Sequence, residues 1–97
     1  MQRKRYLVEV TKNDILQGVS CDAESCGIAR ALKRKFRKIP DVDYFKSFNS
    51  LILRVGLNTL KVPLQKDFNK VAKFIQNFDD VDRKKFCRPF KFYVEKD

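Results

Sequence analysis

A chain of 97 residues is long enough for one hydrophobic core and too short for two. Its apolar content of 43%, with nine Phe and three Tyr, supplies that core and excludes general disorder. Lys and Arg number 22 against 12 acidic residues, a formal charge of +10 with no His to make it titrate near neutrality, so the expected unit is one basic domain, residues 1–97, facing an anionic partner. Charge alone does not choose among nucleic acid, anionic lipid and an acidic protein surface. No run approaches the roughly 18 to 20 apolar residues of a membrane span, and Met1 leads into Gln-Arg-Lys-Arg. Neither a signal peptide nor a membrane partner is expected. Cys21, Cys26 and Cys87 make an odd count, which favours reduced thiols in a cytoplasm over a disulfide scaffold.

Beyond a basic tip at Arg3, Lys4 and Arg5, the stretch Tyr6–Val10 is β-branched and aromatic and reads as a strand with Tyr6, Val8 and Val10 on one face. Thr11 followed by Asp14 is a capping-box pattern, and Gly18 can close the short helix that runs through Gln17. Ser20 or Asp22 is placed to cap a longer helix with Ser25, Ile28, Ala29, Leu32 and Phe36 on one stripe, ending before Pro40. Its other face carries Arg30, Lys33, Arg34, Lys35, Arg37 and Lys38.

Strand-like alternation follows: Tyr44, Lys46 and Phe48 against Phe45 and Ser47, then Leu51–Val55, then Thr59–Val62, with turns at Asn49-Ser50 and Gly56-Leu57-Asn58. After Pro63 a second amphipathic helix places Phe68, Val71, Ala72, Ile75 and Phe78 on one stripe. A charged loop containing Arg83, Lys84 and Lys85 leads to a last strand with Phe90, Phe92 and Val94 inward. The expected fold class is α+β: one sheet of about five strands, antiparallel or mixed, in the order strand, short helix, long helix, three strands, helix, strand. Each main helix has a single apolar stripe to bury, which puts both on one face of the sheet.

Several segments together resemble small bacteriophage-encoded proteins with no established activity. They are the valine-rich strand with Thr11 and Asp14-Ile15 through Gly18, the helix start Ser25-Cys26-Gly27-Ile28-Ala29, and the ending Phe74-Ile75, Phe78-Asp79 and Arg88-Pro89-Phe90-Lys91-Phe92. Gly27 stands where that family tends to have Pro, and the loop before Cys87 is longer and lacks the family's Gly. The resemblance implies a phage gene product in the cytoplasm of a bacterial host, binding host machinery or blocking host defences, and carries over no catalytic residue. By element order alone, the central helix, three strands and helix are also similar to a double-stranded-RNA-binding domain, although Leu64-Gln65-Lys66-Asp67 gives the second helix no basic start.

With no His, the commonest general base is missing, and neither a Walker loop nor a dinucleotide glycine fingerprint is present, so no enzyme activity is expected. The acids Asp79, Asp80 and Asp82 read as a solvated loop. The cysteines lack both the spacing and the imidazoles of a zinc site, and no cofactor or metal is expected. Cys26 has two readings: a thiol made reactive by a helix N-terminus, alone or with Cys21, or a small buried residue packing the helix on the sheet. The sharpest functional candidate is the cluster Arg30, Lys33, Arg34, Lys35, Arg37 and Lys38, supplemented by Arg3, Lys4, Arg5, Arg83, Lys84 and Lys85. Cations gathered on one helix face can neutralise phosphates and release counterions. The expected function is therefore binding of nucleic acid or a nucleoprotein complex. The alternatives are a protein-binding inhibitor of a host factor or defence system, and an assembly component pairing through an open sheet edge.

Overall fold

The computed structural model describes residues 4–20, 22–48, 50–80 and 82–96. The first strand, β1, spans Lys4–Val10, and Thr11 turns the chain into a short helix, α1, at Lys12–Gln17. The capping box is present: the Thr11 hydroxyl accepts from the Asp14 N–H and the Asp14 carboxylate accepts from the Thr11 N–H. Gly18 is the C-cap, its N–H donating to the Asp14 carbonyl, but its φ of −69° is one any residue can adopt. Glycine is required there for space instead. A Cβ would lie 2.6 Å from the Asp14 carbonyl oxygen, 2.8 Å from the Gly27 nitrogen and 2.9 Å from the Phe78 ring.

The second helix, α2, is Gly27–Phe36, and it starts later than its sequence pattern suggests. Neither Ser20 nor Asp22 caps it. The Asp22 carboxylate accepts from the Glu24 N–H and its carbonyl from the Ser25 and Cys26 N–H groups, while the Ser20 hydroxyl donates to the Phe78 carbonyl. Asp22 thus serves a local turn, which competes with helix formation, and Ser20 serves the end of the last long helix. The cap is Cys26, whose Sγ accepts from the Ala29 N–H at 3.4 Å. The helix ends ahead of Pro40 with Arg37 in the left-handed region (φ 57°, ψ 36°), its N–H on the Lys33 carbonyl.

A meander of β2 (Pro40–Phe45), β3 (Ser50–Val55) and β4 (Asn58–Lys61) comes next. The alternation read through Phe48 stops at Phe45. The register pairs Phe45 with Ser50, so Lys46–Phe48 are left to close the hairpin as a 3-10 turn. Gly56, at φ 59°, makes the other hairpin. A third helix, α3, spans Gln65–Phe78, a 3-10 turn occupies Lys84–Phe86, and β5 spans Phe90–Lys96.

The architecture is α+β, one five-stranded antiparallel sheet in the order β1-β5-β4-β3-β2 with α2 and α3 on one face. Val8 and Val10 of β1, Phe92 and Val94 of β5, Leu60 of β4, Leu53 and Val55 of β3 and Val42 of β2 meet Ile28, Ala29 and Leu32 of α2 and Val71, Phe74, Ile75 and Phe78 of α3 in a single core. The sheet is weakest at its centre, where β4 and β5 pair only at Leu60 with Lys96 and Lys61 with Glu95. Pro63 stops β4 there. Asp67, in the first turn of α3 and buried, fills the gap, its carboxylate accepting from the Tyr93 N–H at 2.9 Å.

Both sheet edges are blunted. On β1 the Glu9 carbonyl accepts from the Arg34 guanidinium, and on β2 Pro40 has no N–H while that of Val42 donates to the Ala23 carbonyl. These contacts occupy part of each edge that a second chain would have to pair with.

Candidate nucleic-acid interface

The cations of α2 divide into two groups. Arg34 grips Asp14 through both guanidinium nitrogens at 2.8 Å and reaches the Glu9 carbonyl at 2.8 Å, while Arg30 lies 3.6 Å from the same carboxylate. Asp14 is fully buried. Burial alone would raise its carboxyl, but the Arg34 and Thr11 hydrogen bonds and the Arg34 charge outweigh it and hold the group below the ordinary carboxylate value. The pair latches α1 and the end of β1 onto α2. Arg30 and Arg34 thus have a structural role that helical spacing alone did not reveal.

Lys33, Lys35, Arg37 and Lys38 form the second group. All are exposed on the last turns of α2 and the segment after it, and no acidic side chain among the described residues lies within ion-pair distance of them. Their charge also suits the carbonyl end of the helix dipole. Lys33, Arg34, Arg37 and Lys38 border, with the exposed Ile39, a shallow groove of about 620 Å³. The Lys38 stem runs beside Gly56, where a Cβ would stand 3.2 Å from its Cδ, so the β3–β4 hairpin backs this groove. Phe36 meets Tyr6 edge-to-face at 5.2 Å and lies 6.0 Å from the Lys96 ammonium. The cross-strand pair Lys4 and Lys96 is thereby placed beside the same helix end.

The other basic candidates go elsewhere. Arg3 and Cys21 lie outside the described residues. Arg5 is on the opposite sheet face, 3.9 Å from Glu95. That face alternates in sign, with Lys91 3.5 Å from Glu9 and Arg54 opposed by Asp41 across β2–β3, so it carries little of the positive excess around Tyr93 and Phe45. Arg83, Lys84 and Lys85 sit around the 3-10 turn before β5. Lys84 and Lys85 are grouped there with Lys12, which β1 separates from Lys4 by roughly 20 Å at the strand rise of about 3.4 Å per residue. Lys12 and Arg88 belong to that surface and were missed in sequence, Lys12 because it is distant in the chain from Lys84 and Lys85, and Arg88 because it lies past the charged run in the segment leading into β5.

The acids gather at the opposite end of α2. A pocket of about 240 Å³ is lined there by Asp22, Asp43 and Asp79 together with Cys26 and Tyr44. Burial pushes the Cys26 thiol up to about 11, and the Ala29 and Ile28 N–H groups only partly offset this, which favours the packing reading over the reactive one. Cys26 packs the helix on the sheet, and Cys87 is likewise buried. Among the described residues no group of three His, Cys, Asp or Glu is placed to hold a metal ion, and no helix is long and apolar enough to cross a membrane. Comparison with protein-family models, with curated proteins and with solved structures finds no match to this chain.

Proposed function

We propose that the protein is a non-enzymatic binder of a polyanion, nucleic acid or a nucleoprotein complex, and that it docks with the C-terminal end of α2. The observation that carries this reading is the cluster Lys33, Lys35, Arg37 and Lys38, exposed and without acidic partners among the described residues, flanked by Lys4 and Lys96. Unpaired ammonium and guanidinium groups held on a rigid helix end exchange their counterions for phosphates, and the gain is released-ion entropy that requires no particular base sequence. The acidic pocket at the other end of α2 gives the helix a charge gradient that would orient an approaching polyanion. In the phage setting implied by the resemblance, the partner is nucleic acid or nucleoprotein in the host cytoplasm.

The test is binding of fluorescent single- and double-stranded DNA and RNA to the wild type and to a Lys33→Glu, Arg37→Glu, Lys38→Glu variant. Arg34 is left intact because reversing it would break the Asp14 latch and confuse unfolding with lost binding. The expected result is markedly weaker binding with an unchanged circular-dichroism spectrum, the melting temperature falling only by the modest cost of acids at the carbonyl end of α2. Equal affinity of variant and wild type would refute the proposal.

A further inference from the structure

A second surface differs from the first in chemistry. Between α1 and the 3-10 turn at Lys84–Phe86 runs a groove of about 730 Å³ whose floor is apolar, formed by Ile15, Leu16, Cys87 and Pro89. Leu16 stands 66% exposed at the edge of this floor, so the apolar surface of the groove is open to solvent. The rim is cationic throughout: Lys12, Lys84, Lys85 and Arg88 line the groove and no acid does.

The rim is built, not merely solvated. The Arg88 guanidinium donates to the Lys85 and Cys87 carbonyls at 2.7 and 3.0 Å, which fixes the turn, and the Lys84 ammonium stands 4.5 Å from the centre of the Phe78 ring. These contacts use donors or a ring face but cancel no charge. A nucleic acid would match the cations and leave Leu16 and the Ile15–Pro89 floor without a partner. A wholly apolar segment would leave the cations facing it unpaired.

We propose that this groove receives an acidic amphipathic segment of a protein partner, with apolar side chains at helical spacing seated against Leu16 and Pro89 and carboxylates meeting Lys12, Lys85 and Arg88. This inference does not rest on the polyanion reading of α2, and it gives the protein-binding alternative a defined surface.

The probe is a fluorescent helical peptide of about 16 residues, roughly 24 Å long, with Leu along one face and Glu along the other. Beside it are run a control with every Leu replaced by Ser and a single-stranded DNA. The proposal predicts that the Leu/Glu peptide binds, that the Ser control is at least about ten-fold weaker, a difference of about 1.4 kcal/mol, and that Leu16→Glu and Lys85→Glu each abolish binding without changing the melting temperature. The Lys33→Glu, Arg37→Glu, Lys38→Glu variant should still take the peptide, so failure of one surface is distinguishable from failure of the other. Equal binding of both peptides, displacement of the peptide by DNA from the groove, indifference to Leu16→Glu, or no binding at low salt would each overturn it.

Discussion

Asp14 serves α1, β1 and α2 at once. It closes the capping box of α1, accepts both nitrogens of Arg34 and stands near Arg30, all while fully buried. Half of this was legible: Thr11-x-x-Asp14 announces a cap, but nothing in the local pattern announces a guanidinium 20 residues away. Removing one partner of a buried pair typically costs about 3–5 kcal/mol, and the half exposure of Arg34 lets it recover water. Asp14→Ala should therefore destabilise the fold by about 2–4 kcal/mol in urea denaturation, the lost cap included. Because the folded carboxyl is held below the ordinary value of 3.8, the latch contributes fully above that value and is lost as pH falls through the lower folded one. Asp14→Asn should lack this acid-dependent component, so its stability deficit should shrink below about pH 4. A deficit of constant size down to pH 2 would show that the charge is unimportant. Arg37 supplies the opposite case, a residue whose backbone is strained where its side chain is useful. Holding a non-glycine residue in the left-handed region costs about 1 kcal/mol, so Arg37→Gly should raise stability by about that amount while weakening polyanion binding.

The elements follow their periodicities where one apolar face meets one core. Val8 and Val10, Phe92 and Val94, and Val71 and Ile75 were all readable as inward positions, and all are buried. The misreadings fall where local hydrogen bonding or register decides. Ser20 and Asp22 look like caps, but Ser20 bonds the Phe78 carbonyl at the end of α3 and Asp22 serves a turn, and Lys46–Phe48 alternates like a strand but closes a hairpin. Two close approaches were invisible in sequence because they join elements distant in the chain. At Gly18 the ends of α1 and α3 meet the start of α2, and a methyl group would strike backbone on two sides. Gly18→Ala should accordingly cost about 1–3 kcal/mol, read as a lower melting temperature. At the gap between β4 and β5, Asp67 replaces the missing strand partner of Tyr93. Asp67→Ala should leave that N–H unsatisfied at a cost of about 1–3 kcal/mol, and hydrogen exchange should show the Tyr93 amide losing protection ahead of the β1–β5 ladder.

Over the molecule as a whole, the excess of +10 is unevenly spread. Acids are placed in the latch at Asp14, in the sheet gap at Asp67, on the open sheet face beside Arg5 and Lys91, and around the pocket at the start of α2. Cations without an acid in ion-pair distance among the described residues cluster at the C-terminal end of α2 and on the rim of the groove beside α1, and the exposed face of α3 adds Lys66, Lys70 and Lys73. The first was legible because helical spacing gathers cations from one continuous segment. The second was legible only in part, because Lys84 and Lys85 stand in one charged run while Lys12 joins them only after folding. If the α2 end contacts phosphates, the slope of log affinity against log salt for duplex DNA counts those contacts. Each lost phosphate contact should lower the magnitude of that slope by about 0.9, so the Lys33→Glu, Arg37→Glu, Lys38→Glu variant should show a slope shallower by roughly 2 to 3. The same slope in variant and wild type, or no binding by the wild type at low salt, would contradict phosphate contact by the α2 end.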